Sequence, residues 1–227
     1  MELKPLTELS LEAVAFDLDG TLIDTEPRNR VMWSRLFDAH GAPYDEALIA
    51  SFAGRRGREA LADLLHLFPG RGVEELFQQA LTYENAPDMP AARPVPGAVG
   101  LVRALHAAGV PVAVVTSGMR GYAFGLLDAL GVRDLLELVV TADDVAVGKP
   151  DPEGFLAAAR GLAVPPERMV AFEDAPAGVA AVKAAGMTCV GITTTQPPDA
   201  LAAADRVVAD LLEVAVLPGP VLRVPGS

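Results

Sequence analysis

Two aspartates with a single residue between them close an apolar run in the segment FDLDGTLIDTEP, residues 16–27. Aspartate disfavours strand interiors and costs free energy when buried without a partner, so Asp17 and Asp19 require a turn, a metal or a reaction. Other polar residues end other apolar runs: Thr116 and Ser117 after VPVAVV, and Glu173 and Asp174 after RMVAF. If these run ends meet, four carboxylates converge, and two like charges about 4 Å apart repel by roughly 4 kcal/mol at an effective dielectric of about 20. A cation is then needed. The all-oxygen donor set suits Mg²⁺, which takes a few carboxylates, waters and substrate phosphate, whereas zinc is expected with Cys or His. His40, His66 and His106 all fall in predicted helices as packed or surface residues. Lys149, one of three lysines, is held between Gly148 and Pro150, which stiffen its loop and fix a cation at the same edge as the acids.

Two other chemistries fail on spacing. A calcium-binding EF-hand loop needs glycine at its sixth position, but Gly20 is fourth counting from Asp17, and DDVAVGKP lacks the first glycine and the final Ser or Thr of a Walker loop. Cys189 is the sole cysteine, which excludes an internal disulfide, and its setting in MTCVGI is that of a packed strand residue.

The elements that must position these residues follow from periodicity. Short β-rich runs at 13–17, 110–117, 136–141, 168–174 and 188–193, with a sixth at 205–210, alternate with helical patterns at 119–132, 152–164 and 176–186. Continuous apolar runs imply strands covered on both faces, so the fold class is α/β with a parallel sheet. The polar run ends then sit at the carboxyl ends of parallel strands, where open α/β sheets bind ligands. Between the first and second strands lie roughly 65 residues of helical pattern, including RVMWSRLFDAH, EALIASFA, REALADLLHLF and VEELFQQALTYE, as expected for a small separate bundle. The proline-rich APDMPAARPVPG marks the return, and the last ten residues read as an extended tail.

With 227 residues and 51% hydrophobic content the chain can bury a sizeable core. A formal net charge of −12 argues against nucleic acid as the main partner, since phosphate backbones are bound by clustered Lys and Arg. No apolar stretch is long enough to span a bilayer and the first residues carry no signal-like segment, so a cytoplasmic protein, monomer or dimer, without a membrane partner is expected.

DLDGT, VVTSG, GKPDP and FEDAPAGVAAVKAAG, in this order, resemble the four motifs of the haloacid dehalogenase superfamily, in its phosphatase and β-phosphoglucomutase-like branch. The resemblance implies a Rossmann-like core at residues 1–24 and 93–227 and an inserted α-helical cap at 25–92. It implies that Asp17 attacks a phosphoryl group, that Asp19 serves as general acid and base, and that Thr116 and Lys149 hold the phosphoryl oxygens. Mg²⁺ would be held by Asp17, the backbone carbonyl of Asp19, and Asp174 with Glu173 beside it. The substrate implied is a small phosphorylated metabolite such as a sugar phosphate.

Asp19 separates the chain from dehalogenases of the superfamily, which lack the second aspartate. Asn29 occupies a position where mutases commonly carry histidine, and Met119, followed by Arg120, one where they carry a basic residue. Expected substrate contacts are Ser117, Asn29 and Arg58, the last from FAGRRGREAL with Arg55 and Arg56 nearby. A phosphomonoester hydrolase is the first reading, a β-phosphoglucomutase-type isomerase the second, and a non-catalytic sensor of a phosphorylated ligand the third.

Overall fold

The computed structural model describes residues 6–84, 86–219 and 221–225. The chain opens with β1 (Leu6–Ser10) and β2 (Ala13–Phe16), then departs through the short β3 (Ile23–Asp24). Four helices follow: α1 (Glu26–His40), α2 (Glu46–Ala50), α3 (Gly57–Asp63) and α4 (Val73–Glu84). The return strand β4 (Arg93–Pro94) pairs antiparallel with β3, so the outgoing and incoming chains run side by side. Next come α5 (Ala98–Ala107), β5 (Val112–Val115), α6 (Arg120–Leu130), β6 (Leu138–Val140) and α7 (Glu153–Leu162). The chain continues with β7 (Met169–Glu173), α8 (Pro176–Ala184), β8 (Thr188–Ile192), β9 (Arg206–Val208), β10 (Ala215–Leu217) and β11 (Val221–Pro225).

Six strands form one parallel sheet in the order β6-β5-β2-β7-β8-β9. Every β-rich run expected from the sequence is a strand of it. Central β2 is buried along its whole length, and its two faces differ in size. Val14 and Phe16 join Val112, Val114, Val170 and Phe172 on one side, with Phe16 and Phe172 stacked 4.9 Å apart. Ala13, Ala15, Ala113 and Ala171 face the other way, where small side chains let Phe155 of α7 and Val179 of α8 pack close to the backbone. Fully burying each phenylalanine contributes roughly 1.5–3 kcal/mol, so the sheet is fixed from both faces.

α1 to α4 have an apolar cluster of their own, built on Trp33, Leu36, Phe37, Phe52, Leu61 and Leu76. The boundaries expected for the inserted unit, 25 and 92, fall next to β3 and β4, and residues 1–5 and 226–227 of the expected core lie outside the described residues.

One expectation is corrected and one omission filled. The last ten residues are not a free tail: Val221–Pro225 pairs antiparallel with Leu6–Ser10 and with Ala215–Leu217, in a three-stranded sheet that buries Leu222 and Val224. Pro220, Gly226 and Ser227 lie outside the described residues. Alternating Leu222, Arg223 and Val224 carried the strand signal, which the flanking prolines and glycines concealed. The helix Ala98–Ala107, whose Leu101, Val102 and Leu105 are buried, is a further cover of the sheet that the strand-and-helix reading did not name. Among the described residues no helix is long and apolar enough to cross a membrane.

Candidate active site

The strand order reverses at β2: the chain passes to β5 and β6 on one side and to β7, β8 and β9 on the other. A crevice therefore opens at the carboxyl end of β2. Asp17 follows β2, Thr116 follows β5, Glu173 ends β7 with Asp174 next, and Lys149 lies in the loop between β6 and α7. Asp17, Glu173 and Asp174 each place a carboxylate oxygen within 4.8 Å of the others.

These acids are buried, and their partners are unequal. Lys149 Nζ donates to Asp17 Oδ1 at 2.5 Å, to Glu173 Oε1 at 2.6 Å and to the Val115 carbonyl at 3.1 Å. Glu173 Oε2 accepts the backbone N–H groups of Asp174 and Ala175, so both its oxygens are engaged. Asp174 Oδ2 accepts from Thr195 Oγ1 at 2.5 Å. Asp17 Oδ2 and Asp174 Oδ1 are left buried without a hydrogen-bond partner. Burial pushes both carboxyls upward, and for Asp174 the neighbouring charges of Asp17 and Glu173 add to it. Burial also pushes Glu173 up to about 7. Burial opposes the charge on Lys149, but Asp17 and Glu173 outweigh it and keep the ammonium protonated. Two orphaned anionic oxygens beside one ammonium leave an uncompensated negative site, to which a hard divalent cation fits.

Glycines make this packing possible. Gly20 has φ +83°, and a Cβ there would lie 2.0 Å from Asp174 Oδ2. At Gly178 on α8 a Cβ would lie 1.8 Å from Glu173 Oε1.

The Asp19 side chain turns away from this group toward the cavity. Its Oδ1 accepts from Thr25 Oγ1 at 2.6 Å and from the Tyr122 hydroxyl at 2.5 Å. Burial and then the Asp17 charge push its carboxyl up to about 6. Asn29 Nδ2 approaches Thr25 Oγ1 at 3.4 Å, a long contact that links Asn29 to Asp19 only through Thr25. Thr116 Oγ1 accepts the Gly118 N–H at 2.9 Å, while Ser117 Oγ donates to the Gly54 carbonyl at 3.0 Å.

That last bond joins the helical insertion to the core. Arg56 extends the junction, donating to the carbonyls of Ala142, Val145 and Ala146 at 3.1, 2.8 and 3.0 Å. Glu59 pairs with Arg56 and also accepts the Gly148 N–H, next to Lys149. The insertion thus roofs a cavity of about 500 Å³ whose lining includes Asp17, Asp19, Trp33, Arg58, Tyr122 and Asn29. Arg58 lies 4.0 Å over the Phe77 ring and makes two bonds to Glu74.

Sequence reasoning missed Tyr122 and Thr195. Both had a signal: Thr195 follows the strand Thr188–Ile192, at the same sheet edge as the acids, and Tyr122 stands in the first turn of the helix after Thr116.

A phosphorylated ligand could thus meet an acid, a fixed ammonium and a cation site beneath a roof, an arrangement of the parallel-sheet hydrolases. A family model described as haloacid dehalogenase-like hydrolase matches residues 11–186. The chain is 51% identical over 199 residues to validoxylamine A 7'-phosphate phosphatase of Streptomyces hygroscopicus subsp. limoneus, covering 88% of this chain and 93% of that protein. It is 33% identical over 207 residues to hexitol phosphatase A of Escherichia coli K12, covering 90% and 94%. A crystal structure of β-phosphoglucomutase from Clostridium difficile superposes with a TM-score of 0.76 at 26% identity, covering 88% of this chain and 92% of that one. The chain belongs to the haloacid dehalogenase-like hydrolase family, and within it is a phosphatase.

Proposed function

We propose that the protein hydrolyses the monoester of a small phosphorylated sugar or polyol through a phosphoryl-aspartate at Asp17, with Mg²⁺ as cofactor. The observation that carries this reading is the pairing of roles at the cavity floor: Asp17 is fixed by Lys149, and Asp19 stands two residues on, facing the cavity. Asp17 attacks phosphorus as the bond to the leaving oxygen breaks, and Asp19 gives that oxygen a proton. Asp19 then takes a proton from water, whose oxygen attacks phosphorus and releases Asp17 and inorganic phosphate. Lys149 and the Thr116 region offset charge on the phosphoryl oxygens. Asp17 Oδ2 and Asp174 Oδ1, with the Asp19 carbonyl, would hold the Mg²⁺, and Glu173 would position Lys149 behind them. Bound there, the ion supplies Lewis-acid neutralisation of the phosphoryl group and of the acids themselves. The relatives' substrates, a validoxylamine phosphate and hexitol phosphates, support a polyhydroxylated leaving group.

A phosphate-release screen over sugar, polyol and nucleotide monoesters, with β-glucose 1-phosphate isomerisation run in parallel, tests the reading. Release from sugar or polyol esters is expected, lost in Asp17→Asn at unchanged circular dichroism. Isomerisation faster than release, or full activity of Asp17→Asn, would overturn it.

A further inference from the structure

Every cationic side chain that the insertion brings to the cavity is already committed. Arg55 pairs with Asp63 at 2.6 Å. Arg56 is spent on three core carbonyls and Glu59. Arg58 holds Glu74 through bonds of 2.7 and 3.0 Å, and the charge of Asp143 also acts on it. Asp143, which lines the cavity too, accepts the Arg120 N–H.

Glu84 is the opposite case. It closes α4 and lines the cavity half-buried, and among the described residues no hydrogen bond or ion pair is found for its carboxylate. The nearby Arg28 grips the Glu84 backbone carbonyl at 2.9 Å, and only its charge reaches the carboxylate. The charge of Glu84 in turn acts on Tyr122, whose hydroxyl bonds Asp19. Glu84 thus lines the same cavity as Asp19 and Tyr122, where the ester's leaving group would lie.

We propose that Glu84 is the residue that selects the leaving group, accepting hydroxyl hydrogens of an uncharged polyol and rejecting esters that carry a second anionic group. The inference rests on the phosphatase reading above. A half-buried acceptor without a partner gains from a donor, and a hydroxyl supplies one. A carboxylate or second phosphate supplies only acceptors and a like charge, and no uncommitted arginine of the insertion is there to receive it. The rings of Trp33, Phe52 and Phe77 also line the cavity and offer apolar faces to the carbon skeleton.

Sorbitol 6-phosphate and 6-phosphogluconate test this cleanly, since they differ only in a terminal hydroxymethyl against a carboxylate. Phosphate release from both, and from p-nitrophenyl phosphate, is measured for the wild type, Glu84→Gln and Glu84→Lys. The wild type is expected to favour sorbitol 6-phosphate by about 30-fold or more in kcat/KM, from loss of one bond to a charged group plus repulsion. Glu84→Gln should cut that preference by about tenfold and Glu84→Lys should reverse it, each losing more on sorbitol 6-phosphate than on the aryl ester. Equal wild-type rates on the two sugar-derived esters, or an unchanged preference in both variants, overturns the proposal while leaving the phosphatase standing. Proportional loss on all three substrates in Glu84→Gln overturns it too, by assigning Glu84 to the fold. Release from none of the three by the wild type overturns both readings together.

Discussion

The Tyr122 hydroxyl donates to Asp19 Oδ1 at 2.5 Å, tying the first turn of α6 to the carboxylate just beyond β2. Thr25 holds the same oxygen at 2.6 Å, so one oxygen of this cavity-lining carboxylate is fixed twice. Tyr122→Phe removes one of the two bonds with little change in shape. A fall in kcat of about 3- to 30-fold with a smaller change in KM is expected, since a bond to a charged group is worth roughly 1.5–3 kcal/mol and Thr25 retains part of the orientation. Steady-state kinetics on one polyol phosphate decides it; an unchanged kcat would make the contact incidental.

The orphaned oxygens of Asp17 and Asp174 predict that Mg²⁺ stabilises the fold. At a hundred times its Kd an ion that binds only the native state adds about 2.7 kcal/mol, which for a chain of this size raises Tm by about 5–10 °C. The shift should appear in thermal melts of the wild type after EDTA treatment and Mg²⁺ addition, and be absent in Asp174→Asn. A melt indifferent to Mg²⁺ would remove these oxygens from metal binding.

Arg56 and Arg58 are neighbours with different tasks. Arg56→Ala cuts three bonds to the loop that leads to Lys149 and should lower kcat/KM on sugar phosphates by about 10- to 100-fold. Faster amide exchange in residues 142–149 should accompany the loss. Arg58→Ala strips the guanidinium that covers Phe77 in the cavity wall and, with no bond to substrate lost, should raise KM by only about threefold, with less effect on p-nitrophenyl phosphate and no change in that exchange. Identical profiles for the two variants would refute the division.

Glycine positions give a stability contrast. A methyl at Gly178 would sit 1.8 Å from Glu173 Oε1 under α8, whereas nothing lies within 4 Å of one at Gly100 on α5. Gly178→Ala should destabilise by about 3 kcal/mol or more through overpacking and displacement of a buried charge. Gly100→Ala should gain about 0.5–1 kcal/mol from helix propensity. Urea melts of the two variants, read for opposite signs, provide the check.

Asp205 supplies a pH-dependent term far from the site. Burial opposes its charge, but the Cys189 N–H and the Lys183 ammonium outweigh it and hold the carboxyl below its usual range. A depressed carboxyl contributes stability above its unfolded pKa and loses it as pH falls through the folded one. Asp205→Ala should therefore cost about 1 kcal/mol near neutrality, the ion pair being discounted for its exposure, and converge with wild type in acid. Stability curves that run parallel down to the acid limit, with no narrowing as pH falls below the ordinary aspartate range, would assign the effect to packing.

The sequence by itself determined the parallel sheet, its six strands, the inserted helices and the strand-end positions of Asp17, Asp19, Thr116, Glu173 and Asp174. These are local properties, since periodicity records which faces a strand or helix must bury, and a polar residue ending an apolar run marks the edge of the sheet. The same logic reached Lys149 through its stiff loop. It passed over the C-terminal strand, whose pairing with β1 spans nearly the whole chain and whose signal is only a few alternating residues between prolines. Only the tertiary structure decided which oxygens are spent and which are free: Glu173 engaged at both ends, Asp17 and Asp174 each with one orphan, Asp19 turned to Tyr122. It alone set Arg56 on core carbonyls and, among the described residues, gave the Glu84 carboxylate no hydrogen bond or ion pair. Residue types fix what a side chain is able to bond, but which bond it makes depends on distances between segments a hundred residues apart, and those are settled only when the sheet and the insertion pack together.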